Sequence, residues 1–253
     1  MKFEQLDRRL RVFETAYDHR VLPGLHMVAR IDGRSFSQLT RDAELDAPYD
    51  RRFSDAMEAT LVHLTRDSGF SVLLGYTQSD EMSLLFRRDE ALFARSLRKF
   101  LSVLAGEASA KFSLTFGRLG AFDARVSQLP STDHVVDYFR WRQEDAMRNA
   151  INGHAYWLLR RGGLDDRAAS EKLRGVPVKA RHELLYEGGI QFSELPLWQR
   201  RGIATRWVER EQRGENPKTG AEVVSLKREL CVDRELPMKE AFEALVRSIV
   251  DAQ

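Results

Sequence analysis

Two acidic positions carry the clearest chemical suggestion in this chain. Asp32 closes an apolar run and precedes Gly33, where the backbone can turn and offer its carbonyl. Asp80 stands between Ser79 and Glu81, with apolar runs on either side. Hard carboxylates on neighbouring strand ends suit Mg²⁺, which prefers oxygen ligands and keeps water or phosphate in its remaining positions. Two such ions about 4 Å apart activate an attacking hydroxyl and neutralise a departing pyrophosphate. Either motif alone reads as a turn. Together, on one frame, they point to metal-dependent phosphate chemistry of the kind that polymerase palms and nucleotidyl cyclases share. Other phosphate and hydrolase patterns are absent: there is no Walker-type loop, G-x-G-x-x-G, H-E-x-x-H or G-x-S-x-G.

The elements that must position the pair follow from periodicity. Leu6, Leu10, Phe13 and Tyr17 recur at helical spacing. His26 to Ile31 reads as a strand that Asp32-Gly33 ends in a turn. Phe53, Met57, Leu61 and Leu64 mark a helix stopped by Asp67-Ser68-Gly69. Phe70 to Tyr76 and Met82 to Phe86 form a hairpin with Gln78, Ser79, Asp80 and Glu81 at or near its tip. A second long helix buries Leu92, Phe93, Leu97, Phe100 and Leu104, and Phe122, Ala124 and Val126 alternate as a fourth strand. Strand, helix, strand, strand, helix, strand is the split β-α-β order of an α+β, ferredoxin-like domain. It sets both aspartates near strand ends on one edge of the sheet.

After Pro130 the chain turns helix-rich and basic. Val135 to Arg161 reads as a helix carrying Arg140, Arg142, Arg148, Arg160 and Arg161. Ile203 to Glu209 and Val223 to Asp233 read as strands around a turn at Gly214 to Gly220. The expected organisation is a palm-like catalytic domain over 1–130. A helix-rich basic region with a C-terminal hairpin, 131–253, packs on it.

Four strings then make a resemblance specific: RIDGRSF (Arg30 to Phe36), GYTQSDEMSLLF (Gly75 to Phe86), FDARV (Phe122 to Val126) and YFRWRQEDAMRNAINGHAYW (Tyr138 to Trp157). In that order, from about Phe13 to Trp207, the chain resembles the tRNA(His) guanylyltransferase superfamily of 3′-to-5′ RNA polymerases. It is most similar to the bacterial guanylyltransferase-like branch. The resemblance implies two Mg²⁺ ions on Asp32 and Asp80 with the Gly33 carbonyl, and Glu81 as a third catalytic residue. It sets Gly33, Arg34, Ser35, Phe36, Ser79 and Lys99 beside nucleotide, and Arg125, Arg142, Asn149 and Arg181 beside RNA. It also implies a homotetramer, with tRNA, GTP and other triphosphates as substrates and ATP for 5′ activation.

Departures from the family narrow the activity. Where eukaryotic members carry His-Ile-Asn-Asn, this chain has Met147, Arg148, Asn149 and Ala150. Ser37 and Ala47 stand where those members have a histidine and a lysine. The implied activity is templated repair of 5′-truncated tRNA. Untemplated guanylyl addition to tRNA(His), a nucleotidyl cyclase and a weakened tRNA-binding protein are the alternatives.

Composition sets the bounds. The 253 residues are 43% hydrophobic and 31% charged, with a formal net charge of +2. That excludes a disordered chain and does not by itself announce nucleic acid. Cys231 is the single cysteine, so there is neither an intrachain disulfide nor a cysteine cluster. No apolar run is long enough for a bilayer, and the N-terminus lacks signal-peptide character, so a cytoplasmic enzyme without membrane partners is expected.

Overall fold

The computed structural model describes residues 1–215 and 222–252. Six strands form one sheet in the order β4-β1-β3-β2-β5-β6, and every neighbouring pair is antiparallel. They are β1 (His26–Arg34), β2 (Val72–Gln78), β3 (Glu81–Phe86), β4 (Ala121–Leu129), β5 (Ile203–Glu215) and β6 (Glu222–Asp233). The first four give the split β-α-β arrangement expected from the sequence. β5 joins β2 and so extends this sheet, with Gly75 opposite Thr205 and Tyr76 opposite Ala204. The turn expected between β5 and β6 lies outside the described residues.

Helix α1 spans Phe3–Thr15, α2 Phe36–Asp42, α3 Arg51–Arg66, α4 Leu97–Phe116 and α5 Thr132–Arg161. Beyond them come α6 (Asp166–Leu173), α7 (Val178–Glu187), α8 (Leu197–Arg201) and α9 (Glu240–Asp251). The strand period of two divides the sheet into faces. Met27, Ala29 and Ile31 of β1 with Met82, Leu84 and Phe86 of β3 pack under α3 and α4, against Met57, Leu61, Phe100 and Leu104. Val28 and Leu85 point the other way, toward Val135 and Phe139 of α5 and Phe242 and Val246 of α9. Covered on both faces, β2 is buried throughout, which explains its apolar run from Val72 to Tyr76. A third cluster, built on Ile151, Leu159, Leu173 and Leu185, holds α6 and α7 against the second half of α5.

Three expectations are corrected. β1 does not end in a turn at Asp32-Gly33: it stays paired with β4 through Gly33 opposite Phe122 and Arg34 opposite Ala121. The chain turns one residue later, at Ser35, whose φ of 60° is left-handed and which precedes α2. Phe93 is exposed rather than buried, because Leu92–Arg95 form a separate 3₁₀ turn before α4. That turn sends Arg95 inward, where its guanidinium donates to the carbonyls of Val21, Leu22, Leu25, Arg88 and Glu90. The face of α1 is the third: Leu6, Leu10, Phe13 and Tyr17 are all exposed, and the helix buries none of its residues. Helix α9 was not expected from the sequence. Among the described residues no helix is long and apolar enough to cross a membrane.

Candidate active site

On the face covered by α5, three strands change character toward one end. β1 runs Val28, Arg30, Asp32; β3 runs back Leu85, Ser83, Glu81; β4 runs back Ser127, Arg125, Asp123. Register sets Asp32 directly between Glu81 and Asp123, and Arg30 between Ser83 and Arg125. The face that packs α5 at one end thus becomes charged at the other.

Helix α5 completes it. Tyr138 meets Ser83 at 3.2 Å between hydroxyls, and one turn on Arg142 donates to both oxygens of Glu81, at 2.9 and 3.1 Å. Asp145, Ala146, Asn149, Gly153 and Trp157 continue the stripe at helical spacing. The ionic contacts alternate in sign across the sheet. Arg125 lies 3.4 Å from Asp123 and 3.5 Å from Asp32, and Arg30 lies 3.1 Å from Asp32. Arg30 Nε is 3.3 Å from Glu81 without the alignment of a hydrogen bond. Arg142 and Arg148 then share Asp145, at 3.7 and 3.4 Å.

Asp80 stands outside this chain of pairs. It sits with Ser79 in the two-residue connection from β2 to β3, where Ser79 takes a left-handed φ of 56°. The Gly33 N–H donates to the Asp80 carbonyl at 3.0 Å, tying the hairpin tip to β1. Among the described residues no lysine or arginine pairs with the Asp80 carboxyl. Burial pushes its pKa up, and the charges of Asp32 and Glu81 add to the rise; the Ser79 hydroxyl and the Asp80 backbone N–H work against it. A desolvated carboxylate beside a second carboxylate, with no cation of its own, is a donor set that fits a hard divalent ion. Asp32, Asp80 and the Gly33 backbone would hold it.

Two cavities meet at Asp80. One, about 410 Å³, is lined by Asp32, Asp80, Glu81, Arg142, Asp145 and Asn149. The other, about 220 Å³, is more apolar and takes Phe36, Leu45, Pro48, Phe53, Met57 and Trp198. Pro48, Tyr49, Gln78, Ser79, Asp80 and Trp157 line both. Gln78 is fixed between them, donating to the Tyr49 hydroxyl at 2.8 Å and to the Gln199 carbonyl at 3.3 Å. Burial pushes the Tyr49 hydroxyl up to about 12, so it stays neutral.

The structure gathers most of the residues singled out from sequence, in differing roles. Asp32, Gly33, Ser79, Asp80, Glu81 and Arg125 come together, and Asn149 lines the larger cavity beside Asp145, to which it donates at 3.4 Å. Phe36 is a core residue that also walls the smaller cavity, packed edge-on or tilted among Phe53, Phe112 and Phe122 with centroids 5.8, 5.0 and 4.9 Å away. Arg34 and Ser35 are exposed at the end of β1. Arg142 is only 4% exposed and committed to Glu81, which makes it a strut of the site rather than an open RNA contact. Two residues are not brought in. Lys99 lies in the first turn of α4, whereas it is Phe112, roughly 20 Å further along that helix, that touches Phe36. Arg181 bonds Asn152 and the Leu173 carbonyl inside the helical part and lines neither cavity.

Arg30, Tyr49, Gln78, Asp145 and Trp157 also belong to the site, although none was assigned a role there from sequence. Arg30 was findable, since a strand puts residues two apart on one face. Gln78 adjoins Ser79 at the end of β2, Asp145 and Trp157 lie in the α5 string, and Tyr49 comes from a loop that no local pattern marks.

Gly33 carries a steric requirement. A Cβ there would lie 2.8 Å from the Phe36 ring and 3.0 Å from the Asp80 Cβ. Gly33→Ala is therefore expected to push the hairpin tip off β1, costing about 1–3 kcal/mol of stability. Activity should fall by roughly 100-fold, since a small misplacement of reacting groups has that scale. Thermal melting and turnover of the variant check both.

A split β-α-β sheet with an acidic pair at the end of β1 and the tip of the β2–β3 hairpin defines a polymerase-like palm. The chain belongs to the tRNAHis guanylyltransferase family, whose model matches residues 7–133, with the Thg1 C terminal domain matching residues 133–243. It is 31% identical over 195 residues to a probable tRNA(His) guanylyltransferase of Drosophila melanogaster, covering 73% of this chain and 68% of the relative. A bacterial tRNA(His) guanylyltransferase-like protein in complex with ATP superposes with a TM-score of 0.76 at 27% identity, covering 97% of this chain and 98% of that one. The complex of such a protein with GTP gives 0.73 at 27% identity, over 97% and 99% of the two chains.

Proposed function

We infer that this protein adds nucleotides to the 5′ end of tRNA in the 3′-to-5′ direction, by templated repair of 5′-truncated molecules. The observation that carries the reading is Asp80, a half-buried carboxyl that no lysine or arginine among the described residues pairs with, lining the larger cavity together with Asp32. Family membership supports the substrate class, and the relatives complexed with ATP and GTP support triphosphates as ligands.

In this mechanism Asp32 and Asp80, with the Gly33 carbonyl, would hold the two Mg²⁺ ions that the family resemblance implies. When bound, these would acidify the 3′-hydroxyl nucleophile and neutralise charge on the triphosphate and leaving group. The chain's own residues do the rest. Glu81 is occupied by Arg142 and Arg30, so it orients the charged row. Arg125, exposed on the edge strand, is placed to meet phosphate. The apolar cavity beside Phe36, Pro48 and Trp198 suits a flat base, and it is there that Ser37 and Ala47 replace the larger basic side chains. Met147 points into the helical part's own core and leaves the catalytic cavity to Asn149. With those recognition groups gone, base pairing to the opposite strand chooses the nucleotide, and the protein reads mainly the backbone.

Incubation with Mg²⁺, four triphosphates and a 5′-truncated tRNA tests this, with matched tRNAs bearing or lacking a complementary 3′ partner. Stepwise addition dictated by the partner strand is expected. Guanosine added regardless of partner would identify untemplated transfer; cyclic nucleotide formed without RNA would identify a cyclase.

A further inference from the structure

Asp32 differs from Asp80 in being already engaged. Its Oδ2 receives Arg30 at 3.1 Å and Arg125 at 3.5 Å, so any cation bound there competes with two guanidinium groups. The two arginines are held differently. Arg30 is 19% exposed, lies in the middle of the sheet and keeps Glu81 as a second carboxylate. Arg125 is 55% exposed on the edge strand β4, and its other partner is the open side chain of Asp123.

Register adds a repulsion. Arg30 and Arg125 are direct cross-strand partners, and like charges in that position oppose each other. The carboxylate of Asp32 neutralises both. Once a divalent ion takes that carboxylate, the inner side of Arg125 faces Arg30 and the ion together, and its outer side faces Asp123 and solvent.

We propose that Asp32 is a latch on Arg125: loading of a cation on Asp32 releases the Arg125 guanidinium outward to bind a phosphate group, so phosphate capture follows metal loading. The inference rests on the metal reading of Asp32 given above. The planar fork of five N–H donors matches a phosphate oxyanion. That phosphate belongs either to the RNA backbone near its 5′ end or to a free triphosphate, and the two are separated by experiment.

The test is a mutant cycle in EDTA, with no metal present. Asp32→Asn removes the carboxylate's charge as a bound cation would, and so frees Arg125. Binding is measured for tripolyphosphate and, separately, for an RNA hairpin with a 5′-hydroxyl. Asp32→Asn is expected to tighten one of them about fivefold at moderate salt, the scale of a single charge-assisted contact. Adding Arg125→Ala is expected to erase that gain. Arg125→Gln, which keeps the chain length, repeats the cycle, and melting temperatures confirm folding. Asp80→Asn is the control: it removes the same charge without touching Arg125, so any gain it gives survives Arg125→Ala. A gain from Asp32→Asn that persists in the double variant, or no gain with either ligand, overturns the latch. Mn²⁺ binding to the unaltered protein, followed by paramagnetic relaxation, is read apart: its absence overturns the metal reading and the trigger, whatever the cycle gives.

Discussion

Asp80→Asn is expected to abolish nucleotide addition while making the metal-free protein more stable. The two effects have one cause. In the folded protein burial, with Asp32 and Glu81 nearby, raises the Asp80 carboxyl above its usual value of 3.8. A carboxyl raised by folding binds its proton more tightly in the native state. Its ionisation therefore opposes folding, and stability falls as pH rises from the unfolded value through the folded one. Asparagine keeps the shape and carries no charge, so the melting-temperature advantage of the variant should be absent well below pH 4 and present at neutral pH. Mg²⁺ reverses the order, because a ligand that binds only the native state stabilises it in proportion to its occupancy. The unaltered protein should gain melting temperature with added Mg²⁺ and the variant should not. Turnover should fall by about 10³-fold or more, since the charge stabilisation lost amounts to several kcal/mol. Equal stabilisation of both proteins by Mg²⁺ would sink the assignment of Asp80 as a ligand.

That destabilised carboxyl also shows what was legible in the sequence. Asp32 and Asp80 stood out because strand alternation and hairpin chemistry are local. Turn residues at the tip and apolar periods on either side placed them at strand ends. The sheet order followed from the succession of helices and strands, which leaves few ways to cover both faces. The end of β1 was misjudged because Asp-Gly favours a turn locally, whereas pairing with β4 through Arg34 is a tertiary fact. Lys99 stands apart from the cavities for a related reason. A motif match assigns a residue to a family role, but the length of α4 decides how far its first turn stands from Phe36 and Asp80. Gln78 and Trp157 stood inside the strings that carry the resemblance without a role of their own, and Tyr49 had no signal, since each matters only where a loop, a strand end and a long helix converge.

Arg142 puts that distinction between motif and geometry to a measurable trial. Read from its string it was an RNA contact; in the fold it is an inward strut. Its guanidinium lies 3.6 Å from the Trp141 ring centroid and spans both oxygens of Glu81, whose side chain is 24% exposed. Truncating one partner of a buried ion pair costs about 3–5 kcal/mol. Water reaching Glu81 discounts that, so Arg142→Ala is expected to cost roughly 2 kcal/mol and lower the melting temperature by about 4–8 °C. Turnover should fall as well, because Arg30 would then face Glu81 alone and the row that holds Asp32 would loosen. RNA affinity should change by less than about twofold, the scale of a side chain that meets no phosphate. Glu81→Gln combined with Arg142→Met should lose less stability than the sum of the single changes, because the cost of each lies largely in the charge left behind. Were RNA binding to weaken sharply while the melting temperature held, Arg142 would be a contact that leaves the protein's interior to meet its substrate, and Glu81 would be free to serve the metal site.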